Sequence, residues 1–303
     1  MSARDTIRRR VLRGLALNRT PGLHFPGNFL DVSFDRVARG GVRLSLDPGP
    51  WCADALGETD LAALTMLADL ALGASIRAQL SRETRIATVS LALQFTGAPR
   101  RGRLQARGAF QGFFAGAAGR LGVSRVSVSG AGGQVCYGTG SFMALLPPKG
   151  LTLHPVPLRN RRAPEPRRLK EEELSREERK ILARADQALA ARGNFIDRFW
   201  GGAGVLKNGL HAGNRVGHAQ GGILIAMAAK SAAARLSGAW SLGAVTALYI
   251  SPGEGPTLRA TSNVIHQGRL TAVANTYVTG KNGRRVLEVV TAHSALARRE
   301  EKK

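Results

Sequence analysis

The sequence predicts an α+β protein made of two similar halves, each with one long helix beside an antiparallel sheet. The first observation is an internal repeat, because helix-like, strand-like and glycine-containing segments recur in the same order in residues 25–147 and 190–297. The second is that the helical run of each half is apolar nearly all round, as a helix wrapped by a sheet must be. The third is that about four strand-like runs follow each helix, which favours antiparallel pairing.

The first half begins with a strand candidate, FDRVARGGVRLSLDP, at residues 34–48. The apolar run DLAALTMLADLALGASI at residues 60–76 predicts the long helix, with Asp60 as a good N-cap. Strand-like segments follow as VSLALQF, as a Leu-x-Ala segment at 104–106, as Gly-Arg-Leu at 119–121, and as VSVSGAGGQVCYGTGSF. This order predicts one helix followed by a meander of strands.

The second half repeats this order with its spacing kept to within a few residues. Its helix is predicted from GGILIAMAAKSAAARL, and its strands from AVTALYI, 258–260, 268–270 and TYVTGKNGRRVLEVVTAHSA. Asn282-Gly283 is the signal of a type I′ hairpin between two strands. Gly132-Gly133 has the corresponding place in the first half, so we expect a hairpin there too.

The chain between the halves differs in composition from both. LPPKGLTLHPVPLRNRRAPEPRRLK is rich in Pro and Arg and predicts a linker. The next run, EEELSREERKILARADQALAAR, has its acids first and its bases later, which suits a helix dipole. We therefore divide the chain into a basic N-terminal arm (1–24), a first domain (25–148), a linker with a charged helix (149–189) and a second domain (190–298).

The net charge is +23, from 44 basic and 21 acidic residues, and such a field attracts polyanions. Nucleic acid, anionic lipid and a phosphorylated cofactor all qualify. Aromatic residues make up only 5%, and no nucleic-acid recognition motif is present, so no specific nucleic-acid partner is expected.

Cysteine content and hydropathy indicate where such a chain resides. Cys52 and Cys136 give neither a disulfide framework nor a metal site. No apolar stretch approaches the ~20 residues that span a bilayer, and the N-terminus is a poor signal peptide. We expect a cytoplasmic protein without a membrane span.

Particular motifs resemble a known family. The stretch GNRVGHAQGGILIAMAAKSAAARL, followed by LYISPG and HQGRL, is similar to hotdog-fold acyl-CoA thioesterases of the phenylacetate-degradation type. LTMLADLALG in the first half resembles the acid-bearing helix of the same family. The resemblance covers most of both halves, and excludes the linker and the N-terminal arm.

The resemblance implies a fold and an activity. It implies two hotdog domains, each a long central helix wrapped by an antiparallel sheet, that form an intramolecular pseudo-dimer. It also implies hydrolysis of an acyl-CoA thioester without a metal, with coenzyme A as part of the substrate and no other cofactor. Tandem hotdog proteins often pair again, so a homodimer of pseudo-dimers is an expectation from the resemblance alone.

The two halves depart from the family in a complementary way. The second half has Gln-Gly-Gly at 220–222, but Ala229 and Lys230 where the acid belongs. The first half has the acid, Asp69, but Asp-Leu-Ala at 60–62 where Gln-Gly-Gly belongs. This pattern predicts one composite site, and an opposite site, around residues 60–61 and Ala229, that lacks the chemical groups.

The expected roles follow from the residue types. A helix that starts with glycine presents unpaired N–H groups to a thioester carbonyl oxygen, and a nearby carboxylate can attack the carbonyl or activate water. Arginines can bind the phosphates of coenzyme A. The candidate catalytic residues are Asp69, Gln220, Gly221, His218 and Asn214, and the candidate substrate contacts are Gly222, Arg215, Arg269 and Arg120.

Structural interpretations compete with these roles. Asp69 could face solvent or pair with Arg77, Gln220 could only cap its helix, and the glycines could serve helix packing. The arginines could be solvated residues at strand ends. For the whole chain, the alternatives are a non-catalytic acyl-CoA-binding or regulatory protein, a basic nucleic-acid-binding protein, and a hydratase of the same fold. The last needs an Asp–His motif that the sequence lacks.

Overall fold

The computed structural model describes residues 2–81, 84–114, 119–146, 154, 167, 169–202 and 204–296. Most of the predicted linker, and so that prediction, lies outside the described residues. The helices are α1 (Ala3–Asn18), α2 (Phe25–Leu30), α3 (Leu61–Arg77), α4 (Arg176–Ala190), α5 (Phe195–Trp200) and α6 (Gly221–Ala233). Within the described part of the chain, no helix is long and apolar enough to cross a membrane.

Eleven strands are described, and four of them follow each long helix, as the sequence predicts. They are β1 (Ser33–Ala38), β2 (Gly41–Leu46), β3 (Arg85–Phe95), β4 (Leu104–Phe113), β5 (Leu121–Gly130), β6 (Gly133–Leu145), β7 (Val205–Lys207), β8 (Trp240–Tyr249), β9 (Thr257–Gln267), β10 (Thr271–Thr279) and β11 (Arg285–Ala295).

Helix α3 is the central helix of the first half, and it begins at the predicted N-cap. The Asp60 carboxylate accepts the N–H of Ala62 at 2.8 Å, which pairs one of the free amides of the first turn. Apolar side chains cover almost its whole circumference, and strands β2, β4 and β5 pack around it. The amphipathic stripe of a surface helix is therefore replaced by burial on nearly all sides.

Helix α6 is the central helix of the second half and also begins where the sequence predicts. Gln220 is its N-cap, and the side-chain oxygen accepts the N–H of Ile223 at 3.0 Å. Strands β9, β10 and β11 pack on this helix as β4, β5 and β6 pack on α3. The order of one long helix followed by four strands therefore recurs in the second half.

The segment 34–48 differs from its prediction. The sequence predicts one strand there, whereas the structure has two, β1 and β2, paired antiparallel from Ser33↔Ser45 to Ala38↔Gly41. Gly41 has φ 134°, a conformation that favours glycine, so the Gly-Gly pair reverses the chain.

The predicted type I′ hairpin is confirmed. Asn282 has φ 55° and Gly283 has φ 72°, and they lie in the turn between β10 and β11. Both central residues of a type I′ turn require positive φ, which Asn and Gly adopt most easily. The turn fixes the register of the hairpin.

One continuous antiparallel sheet runs through both halves, in the order β1-β2-β4-β5-β6-β3-β8-β11-β10-β9-β7. The halves join where β3 pairs with β8, from Ser90↔Leu248 to Gln94↔Ala244. Without this pairing, β3 and β8 would each be an exposed sheet edge.

The two central helices cross in close contact on one face of this sheet. A Cβ on Gly222 would lie 2.5 Å from the backbone nitrogen of Met66, so glycine is needed at this crossing. The Thr65 hydroxyl donates to the Gly222 carbonyl at 2.7 Å across the same contact. The crossing brings the start of α6 beside the middle of α3.

The N-terminal arm is a helix that packs on the body of the protein. One face of α1 is buried, through Ile7, Val11, Leu12 and Leu15. Acidic residues from the charged stretch after the linker neutralise part of its positive face, through the ion pairs Arg8–Glu171, Arg8–Asp186 and Arg19–Glu178. These ion pairs therefore neutralise part of the excess positive charge of this arm.

Candidate active site

Asp69 lies about two turns after the start of α3, at the contact between the two halves. Its residue surface is 8% exposed. The Thr88 hydroxyl donates to Oδ1 at 3.3 Å, and the Gln220 amide donates from Nε2 to Oδ2 at 2.9 Å. Burial raises the pKa of Asp69 to about 6, although both hydrogen bonds favour the charged form.

Gln220 has both ends of its amide engaged. Its oxygen caps α6, and its nitrogen donates to Asp69. A backbone N–H needs an acceptor and a carboxylate needs a donor, so this network defines which end of the amide is which. Gln220 therefore both starts the helix and contacts the acid of the other half.

Gly221 is the first residue of α6, and its N–H has no hydrogen-bond acceptor within the described part of the chain. A Cβ added to Gly221 would lie 2.7 Å from the Tyr249 hydroxyl oxygen. Gly221 thus lets that phenol pack directly against the helix start. Its neighbour Gly222 does not line the cavity described below, because it faces α3.

Tyr249, at the end of β8, is a residue that the sequence argument missed. Its hydroxyl is buried and has no hydrogen-bond partner among the described residues. Burial, and then the charge of Asp69, raise the pKa of Tyr249, so the phenol keeps its proton. A buried O–H without an acceptor costs about 1–3 kcal/mol, which indicates that another group accepts this proton when the site is occupied. The only signal in the sequence is its place in LYISPG.

A cavity of about 510 Å³ joins these groups. Both halves line it, since Leu70 and Gly73 come from α3 and Leu224 from α6. The predicted residues that it brings together are Asp69, Gln220, Gly221, His218, Asn214 and Arg215. Residues that the sequence argument did not assign to the site also line it, namely Thr88, Tyr249, Arg77 and Arg85.

Asn214 and His218 belong to the loop that leads into α6. The Asn214 side-chain oxygen accepts the N–H groups of Val216 and His218, at 3.0 and 3.1 Å, which holds the loop in a tight turn. His218 Nε2 lies 3.4 Å from a Glu254 carboxylate oxygen. Burial, more than the nearby Arg85, lowers the pKa of His218, so its imidazole is neutral at neutral pH.

The predicted arginines separate into two groups. Arg215 lines the cavity, whereas Arg120 and Arg269 do not. The Arg120 guanidinium lies 5.4 Å from the centre of the Phe113 ring, and Arg269 is exposed in the turn between β9 and β10. Contact of Arg120 and Arg269 with the phosphates of coenzyme A therefore stays a prediction, and such a contact would have to lie outside the cavity.

The opposite, symmetry-related position holds an ion-pair cluster. Lys230 Nζ lies 2.6 Å from Asp60 Oδ2, and Lys230 also pairs with Asp197. Burial raises the pKa of Asp60, with Lys230 acting against the rise. Burial alone would lower the pKa of Lys230, but the two carboxylates together raise it. At this position the start of α3 faces a lysine, whereas at the cavity the start of α6 faces an acid and presents a free glycine N–H.

Comparison with known proteins establishes the fold. No protein-family model matches the chain, and no curated protein matches it significantly. A Lactobacillus plantarum structure assigned as an oleoyl thioesterase has TM-score 0.54 and 13% identity, over 84% of this chain and 96% of that one. An acyl-ACP thioesterase from Bacteroides thetaiotaomicron has TM-score 0.51 and 10% identity, over 83% and 96%.

A conserved hotdog-fold protein of unknown function from Alicyclobacillus acidocaldarius has TM-score 0.52 and 10% identity, over 88% of this chain and 96% of that one. At such identities the likeness establishes the fold alone. The chain therefore has the hotdog fold, and the predicted α+β architecture of a helix wrapped by an antiparallel sheet is confirmed.

Proposed function

We propose that this chain is a thioesterase that hydrolyses an acyl-CoA to a free acid and coenzyme A. The observation that carries the proposal is the Gln220–Asp69 hydrogen bond, which joins the helix start of one half to a buried acid of the other inside a cavity. Two structures of the same fold, the oleoyl and the acyl-ACP thioesterases, are in accord with thioester hydrolysis. Coenzyme A as the thiol carrier rests on the sequence resemblance.

The thioester carbonyl would lie between α6 and the end of β8. Its oxygen would accept the N–H of Gly221, and the buried O–H of Tyr249 points to the same space. Both donors are fixed before the substrate arrives, so they can stabilise the oxyanion that forms when the carbonyl is attacked. The partial positive charge of the helix start acts in the same direction.

Asp69 would supply the base. Its carboxylate takes a proton from a water molecule, and the water oxygen forms a bond to the carbonyl carbon. The tetrahedral intermediate then breaks its carbon–sulfur bond, and the thiolate recovers the proton from Asp69. Thr88 and Gln220 hold the two carboxylate oxygens through both steps.

A second route uses Asp69 as the nucleophile. The carboxylate oxygen would attack the carbonyl, the thiol would leave, and water would hydrolyse the resulting anhydride. The two routes differ in a single turnover in ¹⁸O-labelled water. Label in Asp69 of the recovered protein indicates an anhydride that water opens at the aspartyl carbon. Label in the product acid alone is expected for the base route when hydroxylamine, added during turnover, also forms no hydroxamate at Asp69, because an anhydride opened at its acyl carbon would label the product acid in the same way.

His218 and Asn214 would position rather than transfer protons. A neutral imidazole at the cavity wall can bind water or the acyl group, and Asn214 keeps the loop in place. The exposed arginines Arg120 and Arg269 lie outside the cavity. If they contact the substrate, it can only be the nucleotide portion on the outer surface.

The test is a thiol-release assay over a panel of acyl-CoAs with the Asp69→Asn variant. We expect turnover to fall by at least about 100-fold, the usual contribution of a positioned base, with binding kept. Asp47→Asn is the matched control, because Asp47 is exposed and is not among the residues that line the cavity. Turnover that survives in Asp69→Asn contradicts the mechanism. Binding without turnover in the unmodified protein would instead favour a non-catalytic acyl-CoA-binding protein.

A further inference from the structure

The cavity contains three arginines, Arg77, Arg85 and Arg215, and of its described lining residues Asp69 is the single carboxylate. None of the three arginines forms an ion pair with a carboxylate in the described residues. Burial, and then the charge of Arg215, lower the pKa of Arg77 to about 10. Such a group of partly buried cations is costly to hold without an anion nearby.

The arginines lie at a defined distance from the acid. Asp69, Gly73 and Arg77 are spaced by four residues and share one face of α3, so the first and last Cα atoms are about 12 Å apart. On β3, Thr88, which contacts Asp69, lies three positions after Arg85, a distance of about 10 Å.

Arg77 and Arg85 belong to the same end of the cavity. Strand β3 runs back along α3, and the Arg77 guanidinium donates to the Thr84 carbonyl at 2.6 Å, immediately before Arg85. The wall between this end and Asp69 is apolar and contains Ala74, Ile86 and Phe142. Along α3 the cavity therefore has the acid at one end, apolar residues in the middle and Arg77 at the other end, while Arg85 also lies near His218 of the loop that leads into α6.

From this arrangement we infer that the preferred substrate carries an anionic group at the far end of its acyl part, as in a thioester of a dicarboxylic acid. The inference rests on the proposed thioesterase function, and it moves Arg215 from the phosphates of coenzyme A to the acyl group. A guanidinium pair binds a carboxylate through charge-assisted hydrogen bonds. The phosphates of the thiol carrier are the other source of negative charge, and pantetheine esters, which lack phosphate, separate the two sources.

The experiment compares octanoyl-CoA with suberoyl-CoA, which differ only in the terminal carboxylate. We expect kcat/KM to favour suberoyl-CoA by on the order of 10- to 100-fold, the value of one or two hydrogen bonds to a charged group. Arg77→Gln should remove this preference mainly through KM, with octanoyl-CoA turnover little changed. Arg77→Lys should retain part of it, and Arg215→Gln serves if Arg77→Gln does not fold.

The matched control is Arg235→Gln, because Arg235 follows the end of α6 as Arg77 ends α3, but is exposed and outside the cavity lining. The same acyl groups on pantetheine, which lacks phosphate, test the other source. A loss in Arg77→Gln that is equal for both CoA esters and absent for both pantetheine esters assigns the arginines to phosphate and overturns the inference. Equal kcat/KM for octanoyl-CoA and suberoyl-CoA in the unmodified protein also overturns it.

The arginine site can also be tested if the proposed thioesterase function is wrong. If no thioester is hydrolysed, calorimetric titration with free suberate and octanoate still tests the arginine end of the cavity. Tighter binding of suberate that is lost in Arg77→Gln supports the anion site by itself. No difference between the two acids contradicts it.

Discussion

The side-chain nitrogen of Gln220 lies 2.9 Å from the carboxylate of Asp69, and this hydrogen bond joins two residues 151 positions apart in the chain. It links the N-cap of α6 to a buried acid of α3. A carboxylate at such a place has a raised pKa and few partners, and the predictions below follow from its environment.

Activity should depend on pH through Asp69. The carboxylate must be charged to act as base or nucleophile, and its pKa is raised to about 6. We therefore expect kcat/KM to be constant at neutral pH and to fall about tenfold per unit below pH 6. Thr88→Val removes a hydrogen bond that favours the charged form, so the midpoint should move to higher pH. A midpoint that stays or moves down in Thr88→Val would contradict the role of Asp69.

Asp69→Asn should be more stable than the unmodified protein at pH 8. Because the folded pKa lies above the unfolded value near 3.8, folding favours the protonated form, and stability is lost as pH rises from about 4 to about 6. A neutral amide avoids that loss, which amounts to at most about 3 kcal/mol. Thermal unfolding at pH 8 and pH 4 measures it, and the advantage of Asn should shrink at pH 4. Lower stability of Asp69→Asn at pH 8 would show that the charge is well stabilised in the folded state.

Tyr249→Phe should lower kcat with little change in KM. The variant loses an O–H that has no partner in the described structure, so the fold should be as stable as before or more so. One oxyanion donor is worth roughly 100- to 1,000-fold in kcat. Steady-state kinetics measures the loss in kcat, and the melting temperature is the second readout. A lower kcat at an unchanged or higher melting temperature indicates an oxyanion donor rather than a structural role.

The neighbouring glycine gives a control for Tyr249. Gly221→Ala places a Cβ 2.7 Å from the Tyr249 oxygen and should also reduce activity. Adding Gly221→Ala to Tyr249→Phe should then cost less than adding it to the unmodified protein, because the shortest contact is removed while two ring carbons stay at 3.0 and 3.1 Å. Fully additive losses would mean that the two residues do not act on the same space.

Lys230→Met should destabilise the protein without abolishing catalysis. It leaves the Asp60 carboxylate buried without its cation, and breaking such a pair costs about 3 kcal/mol when, as here, the lysine is partly exposed. Denaturant unfolding measures the loss, and the double variant Asp60→Asn, Lys230→Met should recover part of it. Turnover that disappears in folded Lys230→Met would place chemistry at this second position as well.

Much of the architecture could be predicted from the sequence because it is written in local patterns. Periodicity gave the two long helices, and Asp60 and Asn282-Gly283 marked a helix start and a hairpin. The complementary placement of an acid in one half and Gln-Gly-Gly in the other followed from comparison of the halves with the family that the sequence resembles. The second strand in residues 34–48 was missed, since its Gly-Gly turn lies inside a run that is otherwise strand-like.

Other parts of the site could not be predicted, because distant segments form it. Thr88 meets Asp69 within the first half and Tyr249 meets Gly221 within the second, but the two pairs line one cavity only because β3 and β8 lie side by side at the junction of the halves. Arg77 and Arg85 face one cavity because β3 runs back along α3. The charge of the N-terminal arm was visible, but its pairing with residues more than 150 positions away was not.

Gly221 and Gly222 separate what the sequence determines from what only tertiary packing decides. The sequence by itself determined the fold class and the helix starts, because these depend on residues near one another in the chain, and its resemblance to a family indicated the division of chemical groups between the halves. It cannot tell two adjacent glycines apart. Packing alone decides that Gly221 faces a buried phenol in the cavity while Gly222 meets the backbone of α3. The way the two helices cross sets which neighbour a Cβ at each position would meet.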